Sequence, residues 1–139
     1  MHALTHRIKV FVFSELGGEP RYLMVRHAPR LETLWGPVEG PILPSENLEL
    51  AVCRRVRDEV GFERPFALVD LRMPERWALP GEQVVEWIYG YGVTPGAEMP
   101  RRRGAARELR WEDFDHAFRS MELPGNRDAI LRLHLTLTK

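Results

Sequence analysis

Lysine is almost missing from this chain, occurring only as Lys9 and Lys139, so nearly all of its positive charge is arginine. The forked guanidinium suits phosphate and carboxylate, although coding bias in the source gives the same composition and is the simpler explanation. Net charge is missing too: 20 basic residues balance 20 acidic ones, giving +0. That balance argues against a general binder of nucleic acid polymers or of membrane surfaces, while a small anionic ligand needs only a local patch. The lone Cys53 leaves no partner for an intrachain disulfide and reads as a small core residue. No apolar run approaches the ~18 residues of a membrane-spanning helix, and no basic-then-apolar leader opens the chain. With one cysteine, these features make the cytoplasm the expected location. The five histidines, His2, His6, His27, His116 and His134, show no metal-ligand spacing, which argues against a zinc site. Neither an internal repeat nor a low-complexity tract is present.

What is there suffices for one globular domain, since 139 residues at 44% hydrophobic can close a core of ordinary size. Residues 7–13 alternate Ile8, Val10 and Val12 against Lys9, Phe11 and Phe13, and read as a strand. Gly17 and Gly18 mark a turn, and residues 21–26 form a second strand apolar enough to be buried on both faces. Residues 27–33 read as loop, and 34–40 lead into the stretch that follows, with no strand assigned there. Beyond residue 62, strands are expected at 66–73, 83–93 and 108–111, with 74–81 and 94–104 as loops and helices at 112–121 and 126–137. This order predicts an α/β (α+β) fold, a mixed sheet with helices on both faces.

The rest is organised around residues 40–62. From 47 to 60 there is no Pro or Gly, and Leu48, Val52, Val56 and Val60 recur every four residues as one buried helical stripe. Ser45 and Asn47 both qualify as N-cap, Glu46 and Glu49 lie near the positive helix end, and Gly61 suits a left-handed stop. Residues 55, 58 and 59 are spaced to share a face away from the valines. Asp58 and Glu59 there are hard oxygen donors suited to Mg²⁺ or Mn²⁺, whereas Arg55 repels a cation. Without further context, Arg55 and Glu59 read as a surface ion pair worth roughly 0.3 to 0.5 kcal/mol.

In register without a gap, Gly40, Glu46, Arg54, Val56, Glu59, Gly61 and Phe62 match the Nudix box, and the chain resembles that family. Two positions depart from the pattern: Arg55 stands where the family has the first Glu of its run, and Asp58 stands where it has the second. Trp35 and the segment 38–40 look like the family's lead-in to the box. Residues 110–113 and 126–130 look like the tail of the bacterial branch that hydrolyses dATP and a pterin triphosphate. The resemblance implies an α/β/α sandwich and a Mg²⁺- or Mn²⁺-dependent hydrolase of phosphoanhydride bonds in a small, anionic, nucleotide-like substrate. By the same resemblance, Arg54, Asp58 and Glu59 are the catalytic candidates, with Asp58 and Glu59 as metal ligands. Arg26, His27, Arg30 and Glu46 are the substrate-binding candidates, with the run 101–103 as further phosphate candidates and Glu46 or Glu39 as further metal candidates. A further family Glu falls at Ala105 here, with Glu108 the nearest carboxylate.

The chemistry needs charge neutralisation on the polyphosphate, an activated water and cations on the leaving side. Cations are plentiful, but a general base is missing from both usual places. Two functions are therefore expected as alternatives: a slow Nudix hydrolase, or a binding or regulatory module in which Arg55 takes the metal's seat by pairing with Glu59.

Overall fold

The computed structural model describes residues 3–26, 34–100, 104–106 and 108–139. Among these residues, seven strands and three helices follow in the order β1 (Ala3–Leu16), β2 (Glu19–Arg26), β3 (Val38–Pro41), α1 (Leu48–Glu59), β4 (Ala67–Asp70), β5 (Glu75–Leu79), β6 (Glu82–Gly92), β7 (Glu108–Asp113), α2 (Phe114–Ser120) and α3 (Pro124–Leu137). All seven strands join one mixed sheet, with helices on both faces as the sequence predicts. Among the described residues no helix is long and apolar enough to cross a membrane.

The spine of the sheet is β1 beside β6, parallel from the Ala3–Glu82 pair to the Phe13–Gly92 pair. Their outer neighbours each take only half of a strand. On β1, β3 pairs along Arg7 to Val10 and β2 along Phe13 to Leu16. On β6, β5 pairs along Glu82 to Glu86 and β4 along Tyr89 to Gly92. The sheet is thus two half-sheets sharing a spine, one flanked by β3 and β5, the other by β4, β2 and β7.

Side-chain alternation sends Ile8, Val10 and Val12 to one face and Lys9, Phe11 and Phe13 to the other. The first face packs on α1, where Val52, Val56 and Val60 are fully buried with Tyr91 and Val38. The second packs Phe11, Phe13 and Ile88 under α2 and α3 through Ala117, Ile130 and Leu133. The side chain of Cys53 is half-buried against the first core, and that burial pushes its thiol pKa up.

Helix boundaries follow local chemistry. Of the two N-cap candidates for α1 the structure uses Asn47, whose side chain accepts from the Leu50 N–H at 2.8 Å, while Ser45 sits in the left-handed region at φ 71. At the other end Gly61, at φ 102, turns the chain away. The helix predicted from residue 112 begins at Phe114, because Glu112 and Asp113 are still paired to β2 and Asp113 caps the helix by accepting from the His116 N–H at 2.8 Å. For α3 the start is Pro124, whose fixed φ and missing N–H suit a first turn.

Two strands lie where none was expected. Segment 74–81 contains β5, a strand of the β5–β6 hairpin along which Arg76 to Leu79 are all exposed, so no buried stripe marked it in the sequence. Segment 34–40 contains most of β3, four residues long with Gly40 and Pro41 in it. Conversely, the strand expected over 66–73 stops at Asp70, and Arg72 takes a left-handed φ of 52.

Val56 is fully buried against the sheet and Arg57 points to solvent. Val56→Ala is therefore expected to cost about 1 to 3 kcal/mol, and Arg57→Ala under about 0.5 kcal/mol. Urea denaturation of both variants checks this; equal losses would mean that α1 is rotated from this placement.

Candidate functional site

The Nudix-like stretch folds as a strand, a loop and a helix: β3, residues 42–47 and α1. Arg54 and Glu46 clamp the loop to the helix. Arg54 Nε donates to Glu46 Oε2 at 2.6 Å, and its Nη2 donates to Glu46 Oε1 at 3.1 Å and to the Pro41 carbonyl at 3.0 Å. Glu46 Oε1 also accepts from the Leu43 N–H at 2.8 Å. The Arg54 hydrogen bond holds the Glu46 carboxyl below the usual glutamate range. In this structure both residues position the loop.

Arg55 turns toward β3. Its Nη2 donates to Glu59 Oε1 at 2.8 Å and to the Glu39 carbonyl at 2.6 Å. The guanidinium lies over Gly40, where any Cβ would overlap it, so the glycine makes room for the arginine. Arg55 Nε is buried with no acceptor among the described residues. An unsatisfied buried donor costs about 1 to 3 kcal/mol, so the pairing with Glu59 and Glu39 is held against that penalty.

Of the two acidic residues whose spacing sets them on one face with Arg55, Glu59 is the one that it bonds. Asp58 lies along a different row of the helix: among the described residues the nearest cations are Arg54 at 3.9 Å and Arg57 at 3.7 Å, and its side chain is 53% exposed. Residues 55 and 59 stack one turn apart toward β3, while 54 and 58 stack beside them. The proposed metal ligands thus face different surroundings. Among the described residues, no three His, Cys, Asp or Glu side chains are grouped to hold a metal ion. A divalent cation, which the family resemblance implies, does not fit the site as it stands, because a guanidinium already bonds the carboxylate and the carbonyl beside Gly40.

Segment 104–106 closes over the end of α1. The Ala105 N–H donates to the Asp58 carbonyl at 2.9 Å and the Ala106 N–H to the Glu59 carbonyl at 2.8 Å, satisfying the helix's last acceptors. A side chain at 105 therefore starts next to the box carboxylates, and here it is a methyl group. Glu108 is engaged elsewhere, accepting from Arg26 Nη2 at 2.5 Å and from its Nε at 3.1 Å. Arg26 also lies 4.5 Å from the Trp35 ring centroid, with Arg110 at the same distance. Its charge is already matched. The other phosphate candidates, His27, Arg30 and the run 101–103, fall outside the described residues.

Sequence reading missed the cleft on the opposite face of the sheet. In the half-sheet flanked by β3 and β5, the face that carries Phe11 and Phe13 farther along is polar. Lys9, Glu86 and Glu75 meet there: Lys9 Nζ is 3.3 Å from Glu86 Oε1 and 3.6 Å from Glu75 Oε2, and Arg7 Nε is 3.8 Å from Glu86 Oε2. Lys9 and Glu86 are both buried, and burial is the main cause that pushes the Glu86 pKa up, against the pull of Lys9. These groups line an open cleft of about 590 Å³ that also takes in Glu39 and Trp77. The signal that could have found it is a charged residue inside an apolar strand, Lys9 between Ile8 and Val10, and Glu86 between Val85 and Trp87.

A family model described as NUDIX domain matches residues 5–133, nearly the whole chain, and the chain belongs to the Nudix family. Solved structures agree on the fold. The E. coli dihydroneopterin triphosphate pyrophosphohydrolase is 17% identical, with 96% of this chain and 99% of that one covered at a TM-score of 0.77. The NUDIX domain of Shewanella oneidensis NrtR, complexed with ADP ribose, is also 17% identical over 99% of this chain and 91% of that one, at 0.75. A C. elegans Ap4A hydrolase in a binary complex is 14% identical over 96% and 97%, at 0.71. No protein of curated function matches the sequence.

The clamp generates a pH prediction. Because the Glu46 pKa is lowered in the folded state, its contribution to stability is present above the ordinary glutamate range and is lost as the pH falls through the lower, folded value. In a double-mutant cycle of Glu46→Gln and Arg54→Ala, coupling should be measurable at neutral pH and should fade as the pH is lowered below the ordinary glutamate range. Coupling that persists in acid would show that the two residues do not act as an ion pair.

Proposed function

We propose that this Nudix-family chain acts on a nucleoside triphosphate or a related nucleoside diphosphate derivative, cleaving a phosphoanhydride bond, and that it does so slowly. The observation that carries the reading is the folded box itself. α1, the loop held by Arg54 and Glu46, and Glu59 at the edge of β3 are assembled together, within a chain that matches the family model almost throughout. The similar structures whose names mention a pterin triphosphate, Ap4A and ADP ribose support a small, anionic, nucleotide-like ligand rather than a polymer. The cytoplasm remains the proposed location.

Slowness follows from what stands at two positions. Arg55 replaces a carboxylate and binds Glu59, and Ala105 offers no base from the other side of the site. Losing a general base typically costs about 10² to 10⁴ in rate. Arg55 supplies the positive charge at this place, and Asp58, Glu59 and Arg54 are the residues proposed to bear on the reaction.

A second reading is favoured by one specific contact. Arg55 bonds both Glu59 and the Glu39 carbonyl over Gly40, an internal cation where the family resemblance implies a metal. On that reading the domain binds its nucleotide-like ligand without turnover.

Arg55→Glu separates the two. It removes the guanidinium from Glu59 and restores the family's carboxylate. The variant should bind Mg²⁺ or Mn²⁺ more tightly in calorimetry and hydrolyse members of a nucleotide panel faster, within the roughly 10² to 10⁴ span of a general base. The gain falls toward the lower end because Ala105 is still an alanine and parts of one constellation do not act additively. Should the variant fold and bind nucleotides while neither protein releases any product, the hydrolase reading falls and the binding reading replaces it.

A further inference from the structure

The strap formed by residues 104–106 does more at the end of α1 than satisfy two carbonyls. Its hydrogen bonds, from the Ala105 N–H to Asp58 and from the Ala106 N–H to Glu59, replace those that a further helical turn would supply. Gly104 comes closer still. A Cβ built on it would stand 2.5 Å from the Glu59 carbonyl oxygen and 2.6 Å from the Val60 nitrogen, distances that real Cβ atoms do not reach. The atoms it would strike are all backbone, so no side-chain rotation relieves the overlap.

An alanine at 104 could not keep the strap in place. Reaching ordinary contact from these distances takes a shift of about 0.9 Å. The two hydrogen bonds, at 2.9 and 2.8 Å, have only about 0.3 to 0.4 Å of slack before they leave the normal range. The glycine is therefore a condition of the clamp.

Both sides of the contact are anchored from behind. The Ala106 side chain is buried in the core that α1 shares with the sheet, and Val60 is fully buried in the same core, with its N–H donating to the Val56 carbonyl at 2.8 Å. The chain ahead of the strap is tied as well: the Gly96 N–H donates to the Glu15 carbonyl at 2.7 Å, and Trp111 Nε1 donates to the Glu98 carbonyl. Strap and helix cannot back away from each other without uncovering apolar surface. What lies between them is the peptide that joins Glu59 to Val60.

Glu59 is the last residue of α1, and helix ends are the parts that fray. Yet its carboxylate accepts from Arg55 Nη2 at 2.8 Å, and the same Nη2 donates to the Glu39 carbonyl on β3. Holding that geometry at a helix end requires the peptide after Glu59 to be fixed, and the strap is what fixes it.

We propose that Gly104 is a positioning residue for Glu59, holding its carboxylate against the partner at position 55 by letting the strap press on the peptide that follows it. Its bearing on turnover rests on the reading of Glu59 as a residue of the reaction; the placement itself does not.

Urea denaturation of the full chain tests the placement with no ligand present. In a double-mutant cycle of Arg55→Ala and Glu59→Gln, the pair should be coupled by about fivefold or more in the unfolding equilibrium constant. Repeated in Gly104→Ala, that coupling should fall to within about twofold of none, while the Glu46 and Arg54 cycle at the other end of α1 keeps its value. Loss of both couplings would make Gly104 a residue of general stability, and retention of both would make it a bystander; either result overturns the proposal, as does an Arg55–Glu59 pair that is uncoupled in the parent chain. Should Gly104→Ala not fold, amide hydrogen exchange reads the same contact from the other side. Coupling is reciprocal, so Arg55→Ala should speed exchange of the Ala106 N–H by about the same fivefold and leave the Leu50 N–H at the N-cap unchanged. An Ala106 N–H that does not respond overturns the proposal. For turnover, Gly104→Ala added to Arg55→Glu should lower kcat by about tenfold or more with KM nearly unchanged, since a misplaced group loses transition-state contacts. An unchanged kcat there would end the positioning role in the reaction. If Arg55→Glu turns nothing over, the function proposed for the box falls, and the coupling and exchange results still decide the placement.

Discussion

Because β1 and β6 run side by side in parallel while each outer strand pairs with only half of one of them, the two faces of this spine can be assigned independently. One face is continuously apolar and takes α1, so Val52, Val56 and Val60 fix the helix at a single rotation. That rotation aims Arg55 and Glu59 at the edge of β3 and leaves Asp58 toward solvent. The other face is apolar for only half its length, and α3 covers that half alone. The box and the cleft are both consequences of the same pairing. A one-residue slip of β1 against its neighbours would exchange Lys9 with Ile8 or Val10 and destroy both together.

The contact between Arg55 and Gly40 shows how one substitution reshapes a site without disturbing its fold. A carboxylate at position 55 beside Glu59 would repel it and need a cation between them; a guanidinium satisfies Glu59 directly. The longer side chain also reaches the Glu39 carbonyl, a contact open to it because residue 40 has no Cβ. The bland reading of Arg55 and Glu59 as a solvent-exposed pair does not hold, since their side chains are only 20% and 13% exposed. Screening by water is correspondingly weaker, so displacement of this arginine by an incoming divalent ion faces more resistance than at the surface.

The box helix was legible in the sequence to within a residue, since a valine every fourth position, a capping asparagine and a terminal glycine all point to the same element. The strands of the spine were legible through their β-branched and aromatic residues. β5 was not, because an exposed strand owes its existence to backbone pairing with β6, and nothing in the run around Trp77 needs to be buried. The split between Asp58 and Glu59 was hidden for a different reason. Spacing along a helix tells which residues are near, but which of two adjacent rows faces β3 depends on tertiary packing. In the cleft, Lys9 and Glu86 were each visible as a charge within an apolar strand, yet only the parallel register, which sets Arg7 opposite Glu86 and Lys9 one rung on, brings them together.

Glu39 is the residue at which these pieces join. The family lead-in places it just before the first box glycine, and the structure gives its two ends to two different environments: the carbonyl to the Arg55 guanidinium, the carboxylate to the charged face of the sheet. A backbone hydrogen bond to a guanidinium fixes the local plane of β3, and that plane sets where the Glu39 side chain can point. Any change that releases Arg55 from the carbonyl therefore frees β3 at the position that separates box from cleft. The box and the charged face of the sheet therefore meet at one peptide unit, which Arg55 holds from the helix side while the Glu39 carboxylate faces the cleft.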